Sequence, residues 1–206
     1  MAQSLDEIKA KIARMSHLVL KMWETAYGAF LEHDLELISD VLDDEERVND
    51  MEKDISVALI EINRTSHDKK EKLAAAVYSE VIGDFELIGD YCKDILERVQ
   101  IKIEEKLLFS IEAVKEYQEL YRISEAALKE IVDALHRDDY SSLEKLLKTK
   151  RDADSLADDY RKKHIERLLD GTCNPRSGNM FLNMLEFGAW VYKHAMKIAA
   201  DLHKLK

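Results

Sequence analysis

Glu45, Asn49 and Glu52 stand four and three residues apart, a spacing that puts three oxygen-bearing side chains on one face of a helix. Glu86, Asp90 and Asp94 form a second set, one at every fourth position. If two helices set these stripes side by side, several carboxylates converge. Such an oxygen-rich environment suits hard cations such as Fe, Mn, Mg or Ca and suits Cu(I) poorly. Charges at i and i+4 in a highly charged protein are more often a solvated face. Glu45 and Glu52, however, fall inside the apolar arc marked by Ile38, Val41, Val48, Ile55 and Leu59. An isolated buried carboxylate costs several kcal/mol, so it must be paired, protonated or bound to metal. The second stripe avoids the apolar face of Val77, Val81, Ile88, Ile95 and Val99 and lies beside Ser79, Gly83 and Gly89, small residues that let another helix come close.

Other chemistry is sparse. None of the seven histidines follows a glutamate by three residues, which removes the Glu-x-x-His pairs of di-iron bundles. His164 and Arg167 share a helical face and could meet phosphate, although such pairs are more often structural. Met180, Phe181, Met184, Leu185 and Trp190 recur at helical spacing and read as core rather than as a docking patch. Cys92 and Cys173 have no C-x-x-C spacing, fit a reducing compartment and read as inert. No Gly-rich phosphate loop, nucleophile elbow or Cys/His constellation is present.

The elements that must position these residues are helices. One proline and six glycines in 206 residues leave little material for sheets or tight turns. Leu5, Ile8, Ile12, Met15, Leu18, Met22, Ala26 and Ala29 follow one another at steps of three or four, and the pattern persists almost throughout. Breaks fall at His33-Asp34, at Thr65 to Asp68, near Ile103 to Leu107, at Asp138-Asp139 and from Gly171 to Gly178. Six helices of about 25 to 35 residues result, and short connections make neighbours antiparallel.

The chain also repeats itself. Asp34 to Leu37 and Asp139 to Leu143 open corresponding helices at an offset of 105, and Tyr78, Asp90, Cys92 and Ile95 precede Phe181, Lys193, Ala195 and Ile198 by 103. The expected fold is all-α, two tandem antiparallel three-helix bundles covering residues 1–104 and 105–206. A net charge of -11, from 31 Lys plus Arg against 42 Asp plus Glu, repels nucleic acid and anionic lipid. The longest stretch without a charged residue, Ser177 to Leu185, is too short to span a bilayer, and Met1 to Leu18 lacks the apolar block of a secretory signal. A cytoplasmic protein without membrane insertion is expected.

Asp84-Phe85-Glu86-Leu87-Ile88-Gly89-Asp90-Tyr91-Cys92-Lys93-Asp94-Ile95 resembles the D-L-E-R-I-G-D-H-A-x-N-I signature of PhoU-type phosphate-uptake regulators. Val41 to Ile55 resembles that family's V-I-x-x-D-E-x-I-D-x-L-E-x-x-I segment. Arg161-x-x-His164-Ile165-x-Arg167-Leu168-x-x-Gly171-x-Cys173, followed by Phe181 and His194-Ala195-x-x-Ile198-Ala199, is similar to the cytoplasmic PhoU-like tail of bacterial sodium/phosphate cotransporters. The resemblance covers essentially the whole chain.

It implies two three-helix bundles with paired acidic motifs that bind iron or zinc clusters, a homodimer, and regulation beside phosphate transporter components or an associated sensor kinase. Carried over, the metal site is Glu45, Asn49, Glu52, Glu86 and Asp90. Asn49 stands where the family has Asp, and Asp94, where it often has Asn, restores the charge. In the second half Lys150, Ala189 and Lys193 replace acids around Asp154, which leaves an ion-paired pseudo-site. A metal ion (Fe, Zn, Mn or Mg) is therefore expected at the first bundle only. The functional expectation is a non-enzymatic regulatory adaptor; the alternatives are a metal-dependent helical-bundle enzyme and a purely structural dimerisation module.

Overall fold

The computed structural model describes residues 3–32, 36–149 and 151–206, and every regular element among them is helical. In chain order they are α1 (Leu5–Glu32), α2 (Glu36–Thr65), α3 (Lys69–Glu104), α4 (Ile111–Arg137), α5 (Leu143–Lys148), α6 (Ala153–Leu169) and α7 (Pro175–His203). The expected break at His33-Asp34 and the Lys150 position lie outside the described residues. No helix among the described residues is long and apolar enough to cross a membrane.

Local chemistry explains the helix ends. Asp68 caps α3 by accepting from the Lys70 N–H, Ser110 caps α4 through Ala113, and Asn174 caps α7 through Arg176, with Pro175 at the first helical position where no amide partner is needed. Asp138 takes a left-handed conformation (φ 51°) to end α4, and Gly171 takes φ 78° in the turn before α7. Seven helices stand among the described residues in place of the expected six, because the segment read as one long fifth helix is broken. The Thr149 hydroxyl donates back to the Lys145 and Leu146 carbonyls as α5 closes. Asp152 then caps a new helix through Ser155, while the Tyr192 hydroxyl accepts from the Arg151 N–H in the gap.

α1, α2 and α3 pack on one another, as do α4, α6 and α7, with α5 against α4 and α7; α1 meets α4 and α3 meets α7 along a seam. One continuous apolar core runs through residues of all seven helices. The periodic residues of α1 bury as their spacing predicts, from Ile8 to Phe30. Aromatic rings fill the α1–α4 seam: Tyr27 stacks on Tyr121 with centroids 3.7 Å apart, and Phe30 meets Tyr117 edge-on. On the α3–α7 side Tyr91 packs against Phe187 and Trp190, all three partly exposed, so Trp190 lies at the rim of the core.

α4 and α7 approach most tightly at Gly188. A β-carbon there would stand 2.9 Å from Leu120 Cδ2, and Ser124 Oγ donates across the gap to the Gly188 carbonyl. Leu120 is itself fully buried and has little room to retreat. Gly188→Ala should therefore destabilise the protein by about 1–3 kcal/mol, measured by urea unfolding, despite the better helix propensity of alanine.

Candidate functional site

α2 and α3 are joined by three residues, 66–68, so their stripes run past each other in opposite directions. α2 turns Val41, Val48, Ile55 and Leu59 into the core, and the same face carries Glu45 out of water, as its place in the apolar arc predicts. Gly89 on α3 faces both neighbours: a β-carbon there would meet Met22 of α1 and Val48 of α2 at ordinary contact distance, so the three helices pack closely at this level. Glu45, Glu52, Glu86 and Asp90 consequently share one electrostatic field. Partial burial, then the charges of Asp90, Glu52 and Glu45, push the Glu86 carboxyl above its ordinary value. Partial burial also raises Asp90, as do the charge of Glu45 and a hydrogen bond to it, while Lys93 pulls the other way.

The cation in this field belongs to the protein. Lys93 Nζ donates to Glu45 Oε1 at 3.0 Å, and Asn49 Nδ2 donates to the same oxygen at 3.1 Å. Among the described residues no group of three or more His, Cys, Asp or Glu could hold a metal ion. The Fe, Zn, Mn or Mg ion expected at the first bundle is therefore corrected. The ammonium of Lys93 supplies the positive charge beside Glu45, and Asn49 donates to that carboxylate where an Asp could only have accepted. Asp94 lies at the edge of the cluster: its charge helps to raise Asp90, and Arg98, one turn along α3, stands 3.6 Å from its carboxylate. In the second half Lys193 pairs with Asp154 at 3.3 Å, and Ala189 is buried with no polar atom to offer.

Three strong charge clusters were not legible as sites. Lys93 lies within the motif itself, three residues after Asp90, and its reach to Glu45 on α2 depends on how the two helices pack. Asp44, buried beside Glu45, accepts from Lys21 of α1 at 2.8 Å and from Arg47 at 2.7 Å. Asp84, buried in α3, is held across the seam by His194 at 2.7 Å and Lys197 at 2.8 Å, both on α7. The Asp84–His194 pairing spans 110 residues of sequence, and no local signal announces it.

Residues 12–99 match the model of the PhoU domain. The whole length of the chain shares the PhoU fold: the structure is similar to PhoU from Pseudomonas aeruginosa, at 20% identity and a TM-score of 0.88, covering 98% of this chain and 96% of that one. It is similar too to the phosphate transport system regulatory protein PhoU from Streptococcus pneumoniae, at 16% identity and a TM-score of 0.85, covering 98% and 94%. No curated protein matches the chain. The all-α fold expected from periodicity is thus that of PhoU. Within residues 12–99, the matched segment, Glu45, Glu52, Glu86 and Asp90 keep their spacing and Lys93 pairs with Glu45.

Two outcomes follow. Lys93→Met leaves the buried Glu45 carboxylate without a cation and should cost about 1–3 kcal/mol at pH 7, and Glu45→Gln in the same chain should restore most of it. Glu86 and Asp90 are both raised on folding, so the folded protein holds protons that the unfolded chain has released. Their penalty sets in as pH rises above the ordinary carboxyl values of 4.5 and 3.8 and is absent below them. Glu86→Gln with Asp90→Asn should stabilise the protein at pH 7 by about 0.5–1 kcal/mol after solvent screening, a gain that disappears in acid, read by urea unfolding across pH.

Proposed function

We propose that this chain is a PhoU-type regulator of phosphate transport or phosphate signalling and that its role is non-catalytic. The single observation that carries the reading is the match of the PhoU domain model to residues 12–99, which takes in the α2–α3 hairpin and most of α1. The preserved spacing of Glu45, Glu52, Glu86 and Asp90 on that hairpin supports it. The enzyme alternative would need an open coordination position in this cluster, where the charge beside Glu45 comes from Lys93.

Phosphate transporter components or an associated sensor kinase are the partners this reading favours, with the chain acting as a homodimer. Residues 1–104 and 105–206 would then be its two repeated units, sharing the α1–α4 and α3–α7 seam. The partly exposed Asn49, Glu52, Glu86 and Asp90 around the buried Glu45, with Asp94 at their edge, form the surface this reading favours for partner contact. Lys93 keeps that face acidic yet partly neutralised.

Deletion of the gene should change phosphate uptake or phosphate-responsive expression, and the wild-type chain should restore it. Glu86→Ala with Asp90→Ala, which leaves the Lys93–Glu45 pair in place, should weaken co-purification of a transporter or kinase component by about tenfold. Unaltered uptake and expression in the deletion strain would overturn the regulatory reading.

A further inference from the structure

α1 is flanked by two helices that do not meet. Lys11–Asp54 and Lys21–Asp44 join it to α2, and Lys9–Asp138 and Glu24–Lys129 join it to α4 and its end, low numbers against high each time. α2 and α4 therefore run parallel on either side of α1, and among the described residues they make no contact with each other. The space between them is an open groove of about 1000 Å³ with α1 as its floor. Ala10 and Ala13 keep that floor low, Leu18 and Met51 add half-buried apolar surface, and Leu135 of α4 adds a buried wall. Small and apolar side chains at these places let another helix backbone come close.

The rim reverses the sign of the molecule. Acids outnumber bases in the chain, 42 to 31, whereas Lys9, Arg14, Lys21 and Arg47 line the groove against Asp6 and Asp138. Lys9 is held at one end by Asp138 at 2.8 Å, with Asp6 at 3.9 Å. Further along, Lys21 and Arg47 divide the single buried carboxylate of Asp44, so one positive charge is left over. Arg14 is exposed and has no hydrogen-bond or ion-pair partner among the described residues. His17 of α1 and His136 of α4, both exposed, stand edge-on with centroids 6.5 Å apart, and each imidazole has an N–H to donate. Arg14 and Lys21 are two turns apart, about 10 Å along α1, too far for one compact anion to bridge. A long polyanion such as nucleic acid would run past the groove onto acidic surface. Cations strung along an apolar channel of about 18 Å, from Lys9 to Lys21, match instead the carboxylates of a helix three turns long.

We propose that the groove between α2 and α4 receives an acidic amphipathic helix of a partner protein, its apolar stripe on Ala10, Ala13 and Met51 and its carboxylates on Arg14, Lys21 and Arg47. This surface lies on the α1 side of α2, apart from Glu86 and Asp90 on α3, and does not rest on the regulatory reading.

The test pans the full chain against a display library of amphipathic helices of about 18 residues, one half carrying Glu and the other Lys beside the apolar stripe. Enrichment of the Glu half is expected. A selected Glu peptide should shift the methyl resonances of Ala10, Ala13 and Met51. Its affinity should fall about tenfold in Arg14→Glu and hold in Lys162→Glu, an exposed site on α6. Enrichment of the Lys half or of neither, methyl shifts that leave Ala10, Ala13 and Met51 untouched, or affinities that are equal in folded Arg14→Glu and Lys162→Glu would overturn the proposal. Should Arg14→Glu fail to fold, the methyl shifts and His17→Glu decide it.

Discussion

A carboxylate removed from water needs a counter-charge, and that requirement organises this bundle. Among the described residues the buried acids are Asp44, Glu45, Asp84, Glu116 and Asp201, and each meets a base. Lys21 and Arg47 hold Asp44, Lys93 holds Glu45, His194 and Lys197 hold Asp84, Arg167 holds Glu116, and Lys204 holds Asp201. Most of these bases lie on a different helix from the acid. Charge pairing thereby fixes which helices are neighbours, a specificity that apolar stripes alone would leave loose.

The same requirement explains how the α2–α3 hairpin can keep its acidic stripes without, among the described residues, the donor set for a metal. A dication between α2 and α3 would satisfy several carboxylates at once. One lysine satisfies one of them, and the protein meets the remainder by leaving Glu52, Glu86 and Asp90 partly in solvent and shifting two of their proton equilibria upward. Asn49 completes the exchange, because an amide can donate to Glu45 where a carboxylate would repel it.

What could be read from residues alone was whatever a single helix expresses. The stripe from Ile8 to Ala29, the inward position of Glu45 and the capping at Asp68 are properties of local spacing, and each appears in the folded chain as its pattern dictates. The break at Thr149 to Asp152 was hidden because apolar periodicity continues across it; only Tyr192, supplied by α7, shows where the backbone is held open. The pairing of Asp84 with His194 and the seating of Arg167 on Glu116 depend on contacts between distant stretches. The His164–Arg167 pair shows the limit most clearly: their shared face was evident, but that Arg167 would be taken up by a carboxylate depended on α4.

α3 belongs to both halves at once. It runs unbroken over 36 residues, about 54 Å at 1.5 Å per residue, with α1 and α2 packed along it and α7 bound to it through Asp84 and Tyr91. Such a rod bends little under a load applied at one end. A protein pressing on the α2–α3 tip would tilt the whole rod and carry α7 with it, so mechanical strain entering one repeat would be delivered to the other as rotation instead of being absorbed at a hinge.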